Sequence, residues 1–292
     1  MKILITGCKG QLGNELIKQL KAGKSEIGAI PEIYKNAFIR GVDLEDFDLS
    51  DKAAVTENVE KGGYDLVINC AAYTNVNGCE SNEDTAYKAN ALAPMYLAAA
   101  CEKSGAKLVH VSTDYVFPGD GTAPYKEYDL TAPQSVYGKT KLAGETLVRE
   151  NCSRYFILRT SWLYGYVGNN FVKTMLKIAR EKGECTVVND QLGNPTSAVD
   201  VAHHILLVAA TENYGLYHCT CNGICSWYDF TCEIVRLAKI DAVVKPCSTA
   251  DYPTPAKRPA YSALDNMALR ATVGDNMRDW KAALFEYITN LE

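Results

Sequence analysis

No apolar run in this 292-residue chain is long enough to cross a bilayer, and its start lacks the basic region, apolar stretch and cleavage site of a secretion signal. A cytoplasmic protein is therefore expected, with no membrane partner. Basic charge is not in excess either. A net charge of -5 and a pI near 5.5 argue against nucleic acid as the main partner. Internal repeats and low-complexity linkers are also missing. The 11 cysteines are scattered and odd in number, so reduced thiols packed as small hydrophobes are expected. Cys219, Cys221 and Cys225 come nearest to a metal pattern, but their spacing is not a zinc spacing and no second ligand pair follows. No metal site is expected there.

What remains is a chain with 47% hydrophobic content, enough for a large α/β core. Strands are expected at 2–6, 38–42, 65–70, 107–112, 155–160 and 185–188. Helices are expected near 11–22, 51–61, 82–104, 136–150, 169–182 and 198–210. Such alternation predicts an α/β fold with a doubly wound parallel sheet. Residues 23–36 read as a long inserted loop, and Ser226 to Asp229 carries a helix-cap signature. Residues 246–259 are proline-rich and read as loop. Residues 1–160 are expected to form a dinucleotide-binding domain. Residues 161–292 are expected to be mainly a substrate lobe, with segments around 185–220 returning to the first domain.

The dinucleotide reading rests on Gly7, Gly10 and Gly13, which lie between the first strand and an amphipathic helix. Glycines there allow close approach of the backbone to a pyrophosphate, and the helix's amino end stabilises its charge. Gln11 and Leu12 complete that loop. Ala71 and Ala72, with Tyr73, follow the strand at 65–70, where small residues permit either close packing or cofactor contact. Asn90 is a candidate cofactor contact whose plainer role is to tie a neighbouring backbone. Asp43, at the end of the second strand, would accept hydrogen bonds from a ribose and repel a 2′-phosphate. That favours NADH over NADPH, although Arg40 is close by and use of both stays open.

Two segments read together as a catalytic device: Ser112 to Phe117, and Tyr137 to Lys141. Helical spacing stacks Tyr137 and Lys141 on one face, where an ammonium can stabilise a phenolate. Thr113 closes an apolar strand at its carboxyl end, where open α/β sheets bind ligands. A hydroxyl, a tyrosine and a lysine beside a dinucleotide are the parts of a carbonyl reductase.

These motifs, with RTSWLYG at 159–165, DQLGNPT at 190–196 and KRPAYSALD at 257–265, make the chain resemble the dTDP-4-dehydrorhamnose reductases over nearly its whole length. That family belongs to the extended short-chain dehydrogenases/reductases, with a Rossmann-like fold. The resemblance implies NAD(P)H-dependent reduction of the 4-keto group of dTDP-4-dehydro-L-rhamnose to dTDP-L-rhamnose, a step toward cell-surface polysaccharide. It implies that Tyr137 is the general acid, that Lys141 lowers its pKa and holds the nicotinamide ribose, and that Thr113 bonds the substrate oxygen. Tyr115 and Trp162 would line the sugar pocket with Asp114, and Asp48 and Leu49 would lie near adenine. Arg258 would clamp phosphate. Asn169 and Asn170 are either substrate contacts or helix caps.

The chain departs from the family in two places. Val76-Asn77-Gly78-Cys79-Glu80 lacks one carboxylate common in relatives. Some members bind magnesium at a dimer contact through glutamates; Glu15 is present here, but residues 190–200 contain no glutamate. Magnesium and that form of homodimer are thus left without matching residues. Two other functions share the same motifs: a reductase or epimerase of another nucleotide sugar, and a non-catalytic NAD(P)-binding regulatory subunit like the methionine adenosyltransferase beta subunit.

Overall fold

Short aliphatic, β-branched runs that must be covered on both faces are accommodated best by a parallel sheet flanked by helices. In the computed structural model, which describes residues 1–274 and 276–291, those runs are β1 (Lys2–Thr6), β2 (Phe38–Val42), β3 (Leu66–Asn69), β4 (Lys107–Thr113) and β5 (Tyr155–Thr160). A sixth strand, β6 (Gly215–His218), joins β5 at the sheet edge. The order is β2-β1-β3-β4-β5-β6 with every pairing parallel. From β1 the chain first goes to β2 on one side and then to β3 on the other. The crevice opened by that reversal is where such sheets bind ligands.

Seven helices of ten or more residues stand among the described residues: α1 (Gln11–Ala22), α2 (Ala93–Ser104), α3 (Val136–Asn151), α4 (Phe171–Lys182), α5 (Ala198–Ala209), α6 (Trp227–Leu237) and α7 (Trp280–Thr289). Alternate strand residues feed two cores. Ile3 and Ile5 join the core beneath α1 and α5, whereas Leu4 joins the one beneath α2. No helix among the described residues is long and apolar enough to cross a membrane.

The structure corrects the expected elements in several places. The insertion at 23–36 is docked rather than loose. It holds a small hairpin (Lys24–Ser25 with Gly28–Ala29) and a 3-10 turn (Glu32–Tyr34) whose buried Tyr34 donates to the Leu206 carbonyl at 2.7 Å. The helix expected over 82–104 is interrupted by a π-turn, Lys88–Leu92, just before Pro94. Proline has no N–H for the Asn90 carbonyl four residues back and its ring crowds that oxygen. The helix expected over 51–61 likewise ends in a π-turn, Thr56–Glu60. Glu184–Val188 does not extend the main sheet. It pairs with Val243–Cys247, a strand inside the region read partly as loop, where Pro246 is tolerated because the pair is an isolated two-stranded edge.

Candidate active site

At the carboxyl end of β1 the glycine loop folds back on itself. Gly7 takes the left-handed conformation (φ 63°), and its carbonyl accepts from the Gly10 amide at 3.0 Å. A Cβ on Gly13 would fall 2.3 Å from the same carbonyl, so only glycine lets α1 start this close to the loop. The glycine backbone and the amino end of α1 fit a pyrophosphate, whose charge the free N–H groups of the helix start would stabilise. Gln11 meets Asn170, whose amide donates to it at 3.1 Å. Leu12 is a core residue, 5% exposed, so any contact it makes with a cofactor is through its backbone.

Asp43 sits beside this loop, with its carboxylate accepting from the Lys9 amide at 3.1 Å. Arg40 points away from it, toward Tyr64 and Asn58. Asp48 lies exposed and holds the Ser50 amide at 2.8 Å, while half-buried Leu49 packs on the core under α2. Asp51, not Asp48, caps the helix that follows. Across the crevice, Ala71 abuts Gly7, and its amide donates to Asn69 at 3.2 Å. Asn90 is fully buried, accepting from the Tyr73 amide at 2.8 Å and donating to the Tyr73 carbonyl and Thr140. These bonds fix the loop carrying Tyr73, the plainer of the two roles expected of Asn90.

Thr113 ends β4 and caps the following turn by accepting from the Tyr115 amide at 3.2 Å. It also bonds Asp114 at 2.8 Å. α3 begins at Val136, capped by Ser135 and by Glu80, which accepts from the Val136 amide at 2.9 Å. A Cβ on Gly138 would fall 2.2 Å from the Tyr115 carbonyl, so the helix and the turn are in backbone contact. That contact brings Tyr137 against Tyr115, with ring centroids 5.5 Å apart, edge to face. One turn on, Lys141 reaches the Val111 carbonyl at 2.7 Å.

Electrostatics assign unequal states to these groups. Burial raises the Tyr137 phenol above its ordinary value, Asp114 adds to the rise, and the hydrogen bond with Thr113 opposes it. Burial brings the Lys141 ammonium down to about 8, against the opposing pull of Glu145 and Cys70. Asp114 is pushed up to about 6 by burial, with bonds from Ser262 and Thr113 opposing. Ser262 lies beside its Oδ2 without reaching good hydrogen-bond geometry.

Beyond Tyr115 a cleft of about 220 Å³ is lined by Phe117, Gln134, Lys257, Arg258 and Pro259. Arg258 is held by Tyr115 Oη at 2.9 Å and Asn77 Oδ1 at 3.0 Å. Asn77 and Glu80 were not expected to shape the site. Their signal was the departure at 76–80, where a carboxamide stands in place of a carboxylate. Trp162 adopts a left-handed backbone (φ 46°) and stacks on Trp227 at 3.5 Å. Asn170 caps α4 by accepting from the Lys173 amide, and its amide nitrogen is spent on Gln11, Gly165 and Tyr287. Asn169 is exposed at the start of that helix. Asn170 therefore follows the capping alternative. Cys219 and Cys221 are fully buried, and all the cysteines are free thiols.

Residues 1–292 match the family described as the RmlD substrate binding domain. The chain belongs to this family. Among its relatives is the spore coat polysaccharide biosynthesis protein SpsK of Bacillus subtilis, 39% identical, with 98% of this chain and 96% of the relative covered. A dTDP-4-dehydrorhamnose reductase structure from Clostridium acetobutylicum is 50% identical, covers 100% of this chain and 99% of its own, and superposes with a TM-score of 0.94. A second, from Bacillus anthracis in complex with NADP, is 37% identical over 99% of both chains, with a TM-score of 0.92. The RmlD relatives thus share the α/β fold with its six-stranded parallel sheet and the smaller sheets of the carboxyl-terminal region.

Proposed function

We propose that this chain is a dTDP-4-dehydrorhamnose reductase (EC 1.1.1.133), an NAD(P)H-dependent oxidoreductase that reduces a 4-keto nucleotide sugar. The observation that carries the reading is the convergence of Thr113, Tyr137 and Lys141 beside the glycine loop in a member of the RmlD family. The glycine loop at Gly7, Gly10 and Gly13 and Lys141 would hold a reduced nicotinamide cofactor, which would supply hydride for C4 of the sugar. Thr113 and Tyr137 hydrogen-bond the ketone oxygen, and Tyr137 gives its proton to the nascent alkoxide. Its raised pKa keeps it a phenol at neutral pH, which suits an acid. Lys141, still an ammonium through much of the neutral range, favours the phenolate left behind and holds the ribose. Tyr115 and Asp114 line the sugar side, with Trp162 closing it, and Arg258 clamps the diphosphate.

The division into a cofactor domain over 1–160 and a substrate lobe over 161–292 is part of the proposal. Support for a return to the first domain comes from α5, which packs on α1, and from β6 at the sheet edge. For the cofactor, we favour NADH with NADPH also usable. Asp43, Glu45 and Asp46 gather at the end of β2, and Lys9 is paired with Glu45. A 2′-phosphate would meet that negative charge, although a relative carries NADP.

The test is loss of reduced-nicotinamide absorbance when the purified protein meets dTDP-4-dehydro-L-rhamnose, with NADH and NADPH run separately. Oxidation coupled to formation of dTDP-L-rhamnose is the expected result. No oxidation while cofactor still binds would transfer the reading to another nucleotide sugar or to a regulatory NAD(P)-binding subunit.

A further inference from the structure

The helix that carries Tyr137 and Lys141 is fastened to the sheet by a buried charged knot that the chemistry above leaves unused. Glu145 lies one turn past Lys141 on α3 and is 0% exposed. Its Oε1 accepts from Ser112 Oγ at 2.6 Å and from Arg159 Nε at 2.8 Å, and its Oε2 accepts from Arg159 Nη2 at 2.7 Å. Ser112 immediately precedes Thr113 on β4, and Arg159 is its cross-strand partner on β5. The Arg159 guanidinium also lies 5.0 Å over the Phe117 ring, in the segment that follows Thr113. One carboxylate thus joins the helix bearing two of the reacting side chains to the strand bearing the third.

Burying an ion pair costs more desolvation than an apolar pair of the same volume, so stability alone does not account for this one. We infer that Glu145 is a positioning residue for the reduction: it sets α3 against Thr113 through Ser112 and Arg159, and its negative charge stands behind the Lys141 ammonium. The inference rests on the reductase reading above. Lys141 is faced by Glu145 along α3, by the Cys70 thiol at the end of β3, and by the Val111 carbonyl and the His110 imidazole from β4. Burial holds His110 far down, so it is neutral near pH 7. The same burial holds the Cys70 thiol up at about 12. Glu145 is therefore the leading group that favours the ammonium against burial.

The experiment compares the full chain with Glu145→Gln in two readouts. One is the pH profile of kcat. The other needs no substrate: the Lys141 titration followed by NMR on lysine-labelled protein, with Lys141→Arg assigning the resonance. In Glu145→Gln both the alkaline limb and the lysine titration shift down by about one pH unit, so kcat, already lowered at every pH by the lost positioning, falls a further roughly fivefold at pH 8 relative to its value near pH 6.5. Glu145→Asp keeps the charge one methylene short. It leaves the lysine titration in place while lowering kcat at every pH, and it decides the matter if Glu145→Gln does not fold. A wild-type lysine titration in Glu145→Gln with a pH-independent loss, or a wild-type kcat in Glu145→Asp, overturns the inference. A wild-type protein without turnover would sink the reductase reading instead, and the lysine titration would still decide the charge behind Lys141.

Discussion

Asp114 has the charge state least like that of a free carboxylate. It is 3% exposed, and its value of about 6 lies above the ordinary carboxylate range because burial disfavours the anion. Between about pH 4 and pH 6 the folded chain therefore binds more protons at this site than the unfolded chain does. Its contribution to stability is most favourable below the unfolded value and is lost as pH rises through the folded one. Asp114→Asn keeps the shape without the charge. Chemical denaturation should find it more stable than wild type at pH 7 by roughly 1–3 kcal/mol, with the gain gone near pH 4. A variant no more stable at pH 7 would mean that the carboxylate is ionised at little cost. None of this was legible in the sequence: the STDYVF motif marks Asp114 as part of the site, but its protonation is set by burial in the fold and opposed by Ser262, distant in sequence.

At the scale of elements, α3 is the piece whose placement matters most. Gly138 sits where an added Cβ would meet the Tyr115 carbonyl at 2.2 Å and Pro133 at 3.0 Å. Alanine at an exposed helical position usually stabilises by about 1 kcal/mol relative to glycine. Here the backbone must separate instead, and Gly138→Ala should destabilise by roughly 1–3 kcal/mol in a denaturant titration. It should also reduce kcat at least about tenfold, since misplacement of a reacting group by about 1 Å can cost more than that. A stabilised, fully active variant would contradict the contact. The helix itself was readable from its cap and its spacing, and 136–150 differs from the observed span by one residue. Its partner elements were harder. The π-turn at Lys88–Leu92 depends on Pro94 and on the Asn90 carbonyl lying where Gly144 leaves room, a tertiary fit that helical periodicity does not encode.

Across the whole molecule, the early strands were legible because each is an apolar, β-branched run followed by a helix. The later chain was not, because its strands are short and pair with distant partners: β6 is four residues long, and Val243–Cys247 contains a proline. Holding that later chain to the sheet is Arg278, which bonds Asp200 through Nη2 at 2.6 Å and Nε at 3.1 Å, and reaches Glu26 in the docked insertion at 3.3 Å. Asp200 is 0% exposed, so Arg278→Ala strands a buried carboxylate. A loss of roughly 3 kcal/mol is expected by denaturant titration, with kcat per folded molecule unchanged because Arg278 contacts none of the three reacting side chains. A variant that kept its stability but lost turnover would show that the clamp serves chemistry rather than cohesion.

The central claim is that Tyr137 protonates the oxygen of the reduced ketone, and replacing it with phenylalanine tests that most directly. Turnover of dTDP-4-dehydro-L-rhamnose and binding of the reduced cofactor, read by its fluorescence, would be measured on the same Tyr137→Phe preparation. The account predicts a fall in kcat of about 10²-fold or more, the usual contribution of a positioned acid, with cofactor binding retained. Turnover close to wild type would contradict it, and the proton would have to come from another group.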